Sequence, residues 1–405
     1  MDPISQIISF NAGRDPERLA LKYNKMRANA FAFLRGSCDL FYSRLALTSL
    51  PKSAPLVWVC GDLHLENFGS YKGANRLVYF DVNDFDEAAL APASWDLIRL
   101  LTSICLCMDG TSLSAEEVQT LCARFLSHYC YALAVGKAYW VERDTAQGPV
   151  RALLDGLKGR TRVEFLDART EVRGKRRVLL ADGTKALAAS PSQREQVMTF
   201  MSSFAADQTD PNFFKVLDVA RRVAGTGSLG LDRFVILVKG KGSPDSNYLL
   251  DLKLATPSSL FPYLRIKQPK WPSQAHRAVA VQQRCQAVPM GFSQAVTMGG
   301  KPYVLRGLQP SEDRVSILPD TRCMAELEQL LASMGQIVAW TQLRSSGRQG
   351  SAVADDLIGW GQKTKWQQKM TKAALACAKQ VRADAHTFNT AYDEGRLGRA
   401  IGQPE

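Results

Sequence analysis

Residues 57–100, VWVCGDLHLENFGSYKGANRLVYFDVNDFDEAALAPASWDLIRL, are the stretch whose reading decides the fold. The apolar run Val57–Cys60 predicts a strand. A polar loop follows and puts Asp62, His64 and Asn67 within six positions. A glycine-containing turn leads to a second short strand, Leu77–Phe80. That strand delivers Asp81, Asp84, Asp86 and Glu87 within seven residues. Trp95-Asp96 then begins a helix, with Asp96 near its positive end, where a carboxylate is favoured. Acids at the ends of apolar strands are costly to desolvate unless something positive neutralises them. A divalent cation is the simplest candidate, because Asn and Asp oxygens are hard ligands of the kind Mg²⁺ uses beside substrate phosphates.

The second informative stretch lies far downstream. Gly225-Thr226-Gly227-Ser228-Leu-Gly230 is a GxGxxG, a weak signal by itself. A dinucleotide fingerprint must open a helix. Here the β-branched and aromatic run 232–240, DRFVILVKG, follows instead. A turn at 241–247 leads to another strand, with Lys253 inside it. A glycine loop between antiparallel strands, with a lysine on the next strand, is the phosphate-binding arrangement of protein kinases. The bland alternative is a glycine-rich hairpin with a snorkelling lysine.

These segments carry a resemblance. Asp62-Leu-His64-Leu-Glu-Asn67 resembles the catalytic loop of aminoglycoside phosphotransferases and related small-molecule kinases, whose pattern is HGDxHxxN. Asp84-Phe85 resembles their metal-binding Asp-Phe, and Asp96 resembles their later helix-start aspartate. More narrowly, GDLHLENFG, NDFDEA, WDLIRL, GTGSLG and the Lys253 strand look like an uncharacterised bacterial family of kinase-like proteins. The resemblance runs through most of the chain. It implies an α+β, two-lobed, protein-kinase-like fold with a small antiparallel β lobe and a larger, mostly helical lobe. The glycine loop and lysine follow the catalytic loop instead of preceding it, which implies a circular permutation. Such a permutation keeps one spatial site because domain termini usually lie at the surface and often close together. On this reading residues 1–205 begin the large lobe, with 141–205 as a basic insertion. Residues 206–308 form the β lobe, and 309–405 complete the helical part.

The same resemblance implies roles. Asp62 would orient or deprotonate the acceptor, and His64 would support the catalytic loop. Asn67 and Asp84 would hold Mg²⁺. Asp86, or else Asp81, would add a further metal contact. Gly225, Thr226, Gly227, Ser228, Gly230 and Lys253 would hold the triphosphate of ATP. The expected activity is an ATP- and Mg²⁺-dependent phosphotransferase with an alcohol-type acceptor. A small-molecule acceptor is expected, because the chain passes almost directly from Asp84 to Trp95-Asp96 with no activation segment. The competing expectation is a nucleotide-binding pseudokinase with a regulatory role. Cys60 stands where the pattern has histidine, and the helix expected at 275–286 offers Lys253 no acid. Two weaker readings remain. A metal-dependent phosphohydrolase on Asp62, His64, Asp81 and Asp84 would want more than the chain's four histidines. A nucleic-acid binder would want stacking aromatics among its basic stretches.

The rest of the chain sets bounds. Its 405 residues allow two or three domains or lobes. A net charge of +12 favours anionic partners, and equally serves solubility. Nine cysteines, an odd number scattered through apolar runs with no CxxC, read as reduced thiols of a cytoplasmic protein. The N-terminus lacks the basic and apolar regions of a signal peptide. No apolar run approaches the roughly 18–20 residues of a membrane span. Residues 1–50, 94–140, 321–347 and 364–396 read as helical, with His128 a packed or surface residue. Arg344 and Asp355-Asp356 are expected in or near the loop between the last two helical stretches. In the basic segment, Ala181-Asp-Gly-Thr184 reads as a hairpin turn. The cluster Arg173, Lys175, Arg176 and Arg177 reads as a solvated hairpin face, or else a phosphate contact.

Overall fold

The computed structural model describes residues 2–46, 53–310, 313–315 and 322–398. Four helices open it: α1 (Pro3–Asn11), α2 (Pro16–Met26), α3 (Ala30–Gly36) and α4 (Cys38–Leu45). In α1 and α2 an aspartate cap accepts a first-turn N–H, and proline follows where no N–H donor is needed.

The deciding stretch folds as β1 (Leu56–Val59), a 3-10 turn over Leu65–Asn67, β2 (Phe68–Lys72), β3 (Val78–Val82), β4 (Ala89–Pro92) and α5 (Ser94–Cys107). β1 pairs with β4 and β2 with β3, both antiparallel. The second expected strand extends to Val82, so Asp81 lies inside it and not in the loop beyond. β4 has no signal in the sequence, because Ala-Leu-Ala-Pro is neither β-branched nor free of proline. α5 is buried from Ser94 to Leu106 and has no solvent face. α6 (Ala115–Val135) starts on a Ser114–Glu117 capping box and stops at Gly136.

The segment 141–205 differs in detail from its reading. After α7 (Gly148–Gly156) and α8 (Arg162–Asp167), the hairpin is β5 (Thr170–Arg173) with β6 (Arg176–Leu179). The residues expected to turn a hairpin, 181–184, instead lead out of β6 into β7 (Ala186–Ala188), which joins a different sheet. Asp182 shapes that bend by accepting the N–H groups of Thr184 and Lys185. In the basic cluster, Arg173 pairs with Glu171 and Arg177 is buried between Asp167 and Asp245, while Lys175 and Arg176 are exposed on the hairpin.

The main sheet has six antiparallel strands in the order β11-β12-β10-β9-β8-β7. Helix α9 (Pro191–Ala206) precedes β8 (Val216–Arg222), β9 (Arg233–Val238) and β10 (Tyr248–Leu254). Helix α10 (Gln274–Cys285) then leads to β11 (Ser293–Met298) and β12 (Lys301–Gly307). The two-residue period of β10 sorts its side chains. Leu250 and Leu252 enter a core with Ile236 and Leu305, closed by Val197 and Met201 of α9. Asp251 and Lys253 face the other way. The larger core is helical and includes Trp58, Leu97, Phe125, Leu331 and Phe388. It is completed by α11 (Met324–Ser345), α12 (Ala354–Gly361) and α13 (Lys365–Asp393). Arg344 lies in the last turn of α11 and Asp355-Asp356 in the first turn of α12, on either side of the loop at 346–353. All nine cysteines are free. Among the described residues no helix is long and apolar enough to cross a membrane.

Candidate functional site

One cleft of about 920 Å³, counted to its open mouth, gathers residues from three distant parts of the chain. Asp62, His64, Asn67, Asp84 and Asp86 come from the deciding stretch, and Gly225–Ser228 and Lys253 come from the sheet. Arg14, in the turn between α1 and α2, and Arg35, on α3, reach in from the N-terminal segment. Gly230 lies at the far end of the glycine loop, against Arg14.

The loop after β1 is held rigidly. Asp96, at the start of α5, accepts the N–H groups of Cys60 and Gly61 at 2.8 and 3.0 Å. Gly61 has φ +91°, and a Cβ there would stand 2.1 Å from the Glu87 carbonyl, so only glycine fits. His64 is buried; its Nδ1 accepts from the Glu66 N–H at 3.1 Å, and its own N–H donates to Asn67 Oδ1 at 2.7 Å. Burial, with Arg35 and Arg99 nearby, holds the imidazole well below its ordinary pKa, so it is neutral and acts as a cap. Asp62 points into the cleft and is gripped from behind by Arg99, whose Nε donates to Oδ1 at 2.8 Å. Burial pushes the Asp62 carboxyl up and Arg99 draws it back down.

Lys253 has the acid partner that the sequence did not reveal. Its ammonium is buried and ion-paired with Asp86. Asp86 was expected as a metal contact; here its carboxylate is engaged by the lysine. Burial lowers the lysine's pKa, and Asp84 partly opposes that. Asp251 is unavailable to Lys253, because Arg222, Arg233 and Arg306 surround it at 2.6, 2.7 and 3.3 Å. α10 lies beside the lysine with Ala278 and Gln282, neither of them an acid.

Several residues of the site escaped the sequence reading, among them Arg35, Arg99 and Arg314 and the two that anchor the glycine loop. Arg14 Nη1 donates to the carbonyls of Gly227 and Leu229 at 2.7 and 2.9 Å. Lys22, with no exposed surface, donates to the same Gly227 carbonyl at 3.0 Å and to Asn11 Oδ1 at 2.7 Å. In trans peptides these anchored carbonyls turn the N–H groups of Ser228 and Gly230 the opposite way. Gly230 has φ +89°, and a Cβ there would meet Arg14 at 2.8 Å. Burial, with Arg14 nearby, drives the Lys22 pKa far down, and among the described residues no carboxylate is ion-paired with it, Asp62 and Glu87 opposing the shift only from a distance. A signal existed: Leu19, Lys22, Tyr23 and Met26 fall at helical spacing on one buried face, and a lysine among them calls for a partner.

Asp81 is not part of the cleft. Buried in β3, it binds Arg344 at 3.3 Å and the Ala287 N–H at 3.1 Å, tying β3 to α11 and the end of α10. Among the described residues no three His, Cys, Asp or Glu side chains converge on a metal position. Asn67 and Asp84 offer two oxygen donors in one cleft. This suits Mg²⁺, which keeps several waters and is commonly held by one or two protein groups plus substrate phosphates. No curated protein and no solved structure matches the chain. Residues 14–391, and with them every residue of the cleft named above, match the model of a family described as "Uncharacterized protein conserved in bacteria (DUF2252)", and the chain belongs to that family.

Proposed function

We propose that this protein is an ATP- and Mg²⁺-dependent phosphotransferase acting on the hydroxyl of a small molecule. Its fold would be two-lobed and kinase-like, with the motifs in circularly permuted order. One observation carries the reading: Lys253, the glycine loop, Asp62, Asn67 and Asp84 line a single cleft although the two sets lie more than a hundred positions apart in the sequence. The arrangement of β8, glycine loop, β9 and then a lysine on β10 matches that of protein kinases, where the loop covers the phosphates. Asp86 would take the place of the acid that a kinase supplies from a helix.

Mg²⁺, when bound at Asn67 and Asp84, supplies charge neutralisation for the phosphates. The loop's N–H groups and Lys253 hold the triphosphate. Asp62 orients the acceptor hydroxyl and receives its proton. The acceptor oxygen forms a bond to the γ-phosphorus as the bond to the β–γ bridging oxygen breaks, and ADP leaves with that electron pair. Positioning and electrostatics do most of the work in such a transfer.

MgATP at about 100 times its dissociation constant should stabilise the protein by roughly 2.7 kcal/mol. Asp62→Ala should keep that stabilisation and lose transfer by about 100-fold or more. Absence of stabilisation by any nucleotide sinks the reading, and undiminished turnover in Asp62→Ala removes Asp62 from the mechanism. A second reading, a nucleotide-binding regulator without transfer, is favoured by the absence of an acid on the α10 face beside Lys253. It expects binding with no turnover in the unaltered protein.

A further inference from the structure

We propose that Arg35 and Arg314 form an anion subsite beside Asp62, so that the acceptor is a small alcohol carrying a carboxylate or a phosphate. This rests on the phosphotransferase reading above.

Two of the cleft's charges are matched by a single partner each. Asp62 has Arg99, and Lys253 has Asp86. At the Asp62 end the balance breaks. Arg35 Nη1 and Arg314 Nη1 reach the same oxygen, Oε2 of Glu66, at 2.8 and 3.1 Å. Both arginines, with Asp62 and His64, line the cleft. Two guanidinium groups share one carboxylate, which leaves one positive charge and most of ten N–H donors unspent. Arg35 Nε is buried with no hydrogen-bond partner among the described residues, so the guanidinium is not fully used by Glu66. Arg314 is 38% exposed and Glu66 35%, so the pair opens to solvent where an acceptor would enter.

Glu66 also marks the kind of group that fits. Its carboxylate already sits where two planar forks converge, a geometry suited to carboxylate and phosphate oxygens. A cationic acceptor would meet repulsion here, and a neutral one would leave the arginines as they are. The phosphoryl-acceptor hydroxyl and the anionic group must then lie on one small molecule, a few bonds apart.

The test uses the full chain with MgATP and follows ADP formation on adding three sets of probes. These are hydroxy-carboxylates such as glycerate, phosphorylated alcohols such as glycerol 3-phosphate, and amino alcohols such as ethanolamine and kanamycin. ADP formation should rise with at least one anionic set, and which set responds separates carboxylate from phosphate. Arg35→Gln and Arg314→Gln should each raise the KM of the responding probe by about tenfold while the Kd for ATP stays within about twofold. Arg35→Lys should recover part of the loss. Three results would overturn the proposal while leaving the phosphotransferase reading intact. One is stimulation only by neutral or amino alcohols. Another is MgATP binding with no response to either anionic set. The third is Arg35→Gln weakening ATP more than ADP, which would assign Arg35 to the γ-phosphate. Failure of MgATP to bind at all defeats both readings together.

Discussion

Lys253 and Asp86 are 167 positions apart in sequence and in direct contact in the fold. Their contact joins the phosphate side of the cleft to the loop that carries Asp84. Asp86→Asn should leave the buried ammonium without its charge partner, costing roughly 1–3 kcal/mol, tempered because Asp86 is one-third exposed. It should also weaken ATP binding about tenfold, and Lys253→Met should do the same. The double variant should cost much less than the sum, as a double-mutant cycle would record; full additivity would deny the pair a joint role. Asp96 offers a pH test. Burial lifts its carboxyl to about 6, against the hydrogen bonds from Cys60 and Gly61. A folded-state pKa above the unfolded value means that the native chain binds the extra proton. Its contribution is therefore greatest below about pH 4 and falls as pH rises through about 6, by roughly 3 kcal/mol. Asp96→Asn should flatten the urea-measured stability profile between those pH values. An unchanged slope would show that other groups set it.

At the scale of elements, the glycine loop depends on helices from the other end of the chain. Arg14 and Lys22 tie its carbonyls, and Asp15 N–H bonds the Gly230 carbonyl at 2.9 Å. Lys22 is buried without a carboxylate, an arrangement that costs folding energy. Lys22→Met, similar in length and apolar, should therefore raise Tm by a few degrees yet weaken ATP binding about tenfold. Calorimetry and nucleotide titration check the two halves separately. A raised Tm with unchanged affinity would mean that the loop does not need this anchor. Gly230→Ala forces a side chain into a left-handed backbone position against Arg14, and should destabilise by roughly 1–2 kcal/mol.

At the scale of the whole molecule, the cleft is walled by three segments that belong to different parts of the sequence. A ligand seated in it bonds all three, so its binding should be felt in all three. Hydrogen exchange with and without MgATP should slow together in α1–α2, in 225–230 and in 61–67. Protection confined to one segment would break the single-cleft description. Part of this was legible beforehand. β9 stands in the sequence as a β-branched and aromatic run and β10 as leucines alternating with charged residues, and the caps of α2 and α6 stand there as Asp-Pro and Ser-x-x-Glu. Asp62, His64, Asn67, Asp84 and Lys253 stood out in the sequence by their resemblance to a kinase pattern, and the fold brings them into one cleft. β4 was not, since its Ala-rich run gains strand character only by pairing with β1.

By itself, then, the sequence determined which side chains are available for chemistry and which strands and helices carry them, because local periodicity and caps act over a few residues. Only the tertiary structure decided how those side chains are spent. Asp81 goes to Arg344, Asp86 to Lys253, Asp62 to Arg99, and Arg14 and Lys22 to the loop. A buried charge must find a partner, and the partner nearest in space is set by packing, not by distance along the chain. The stretch at 57–100 supplies half of a site, and the fold supplies the rest: the glycine loop and Lys253 from more than a hundred positions downstream, and Arg14, Lys22 and Arg35 from the segments before it.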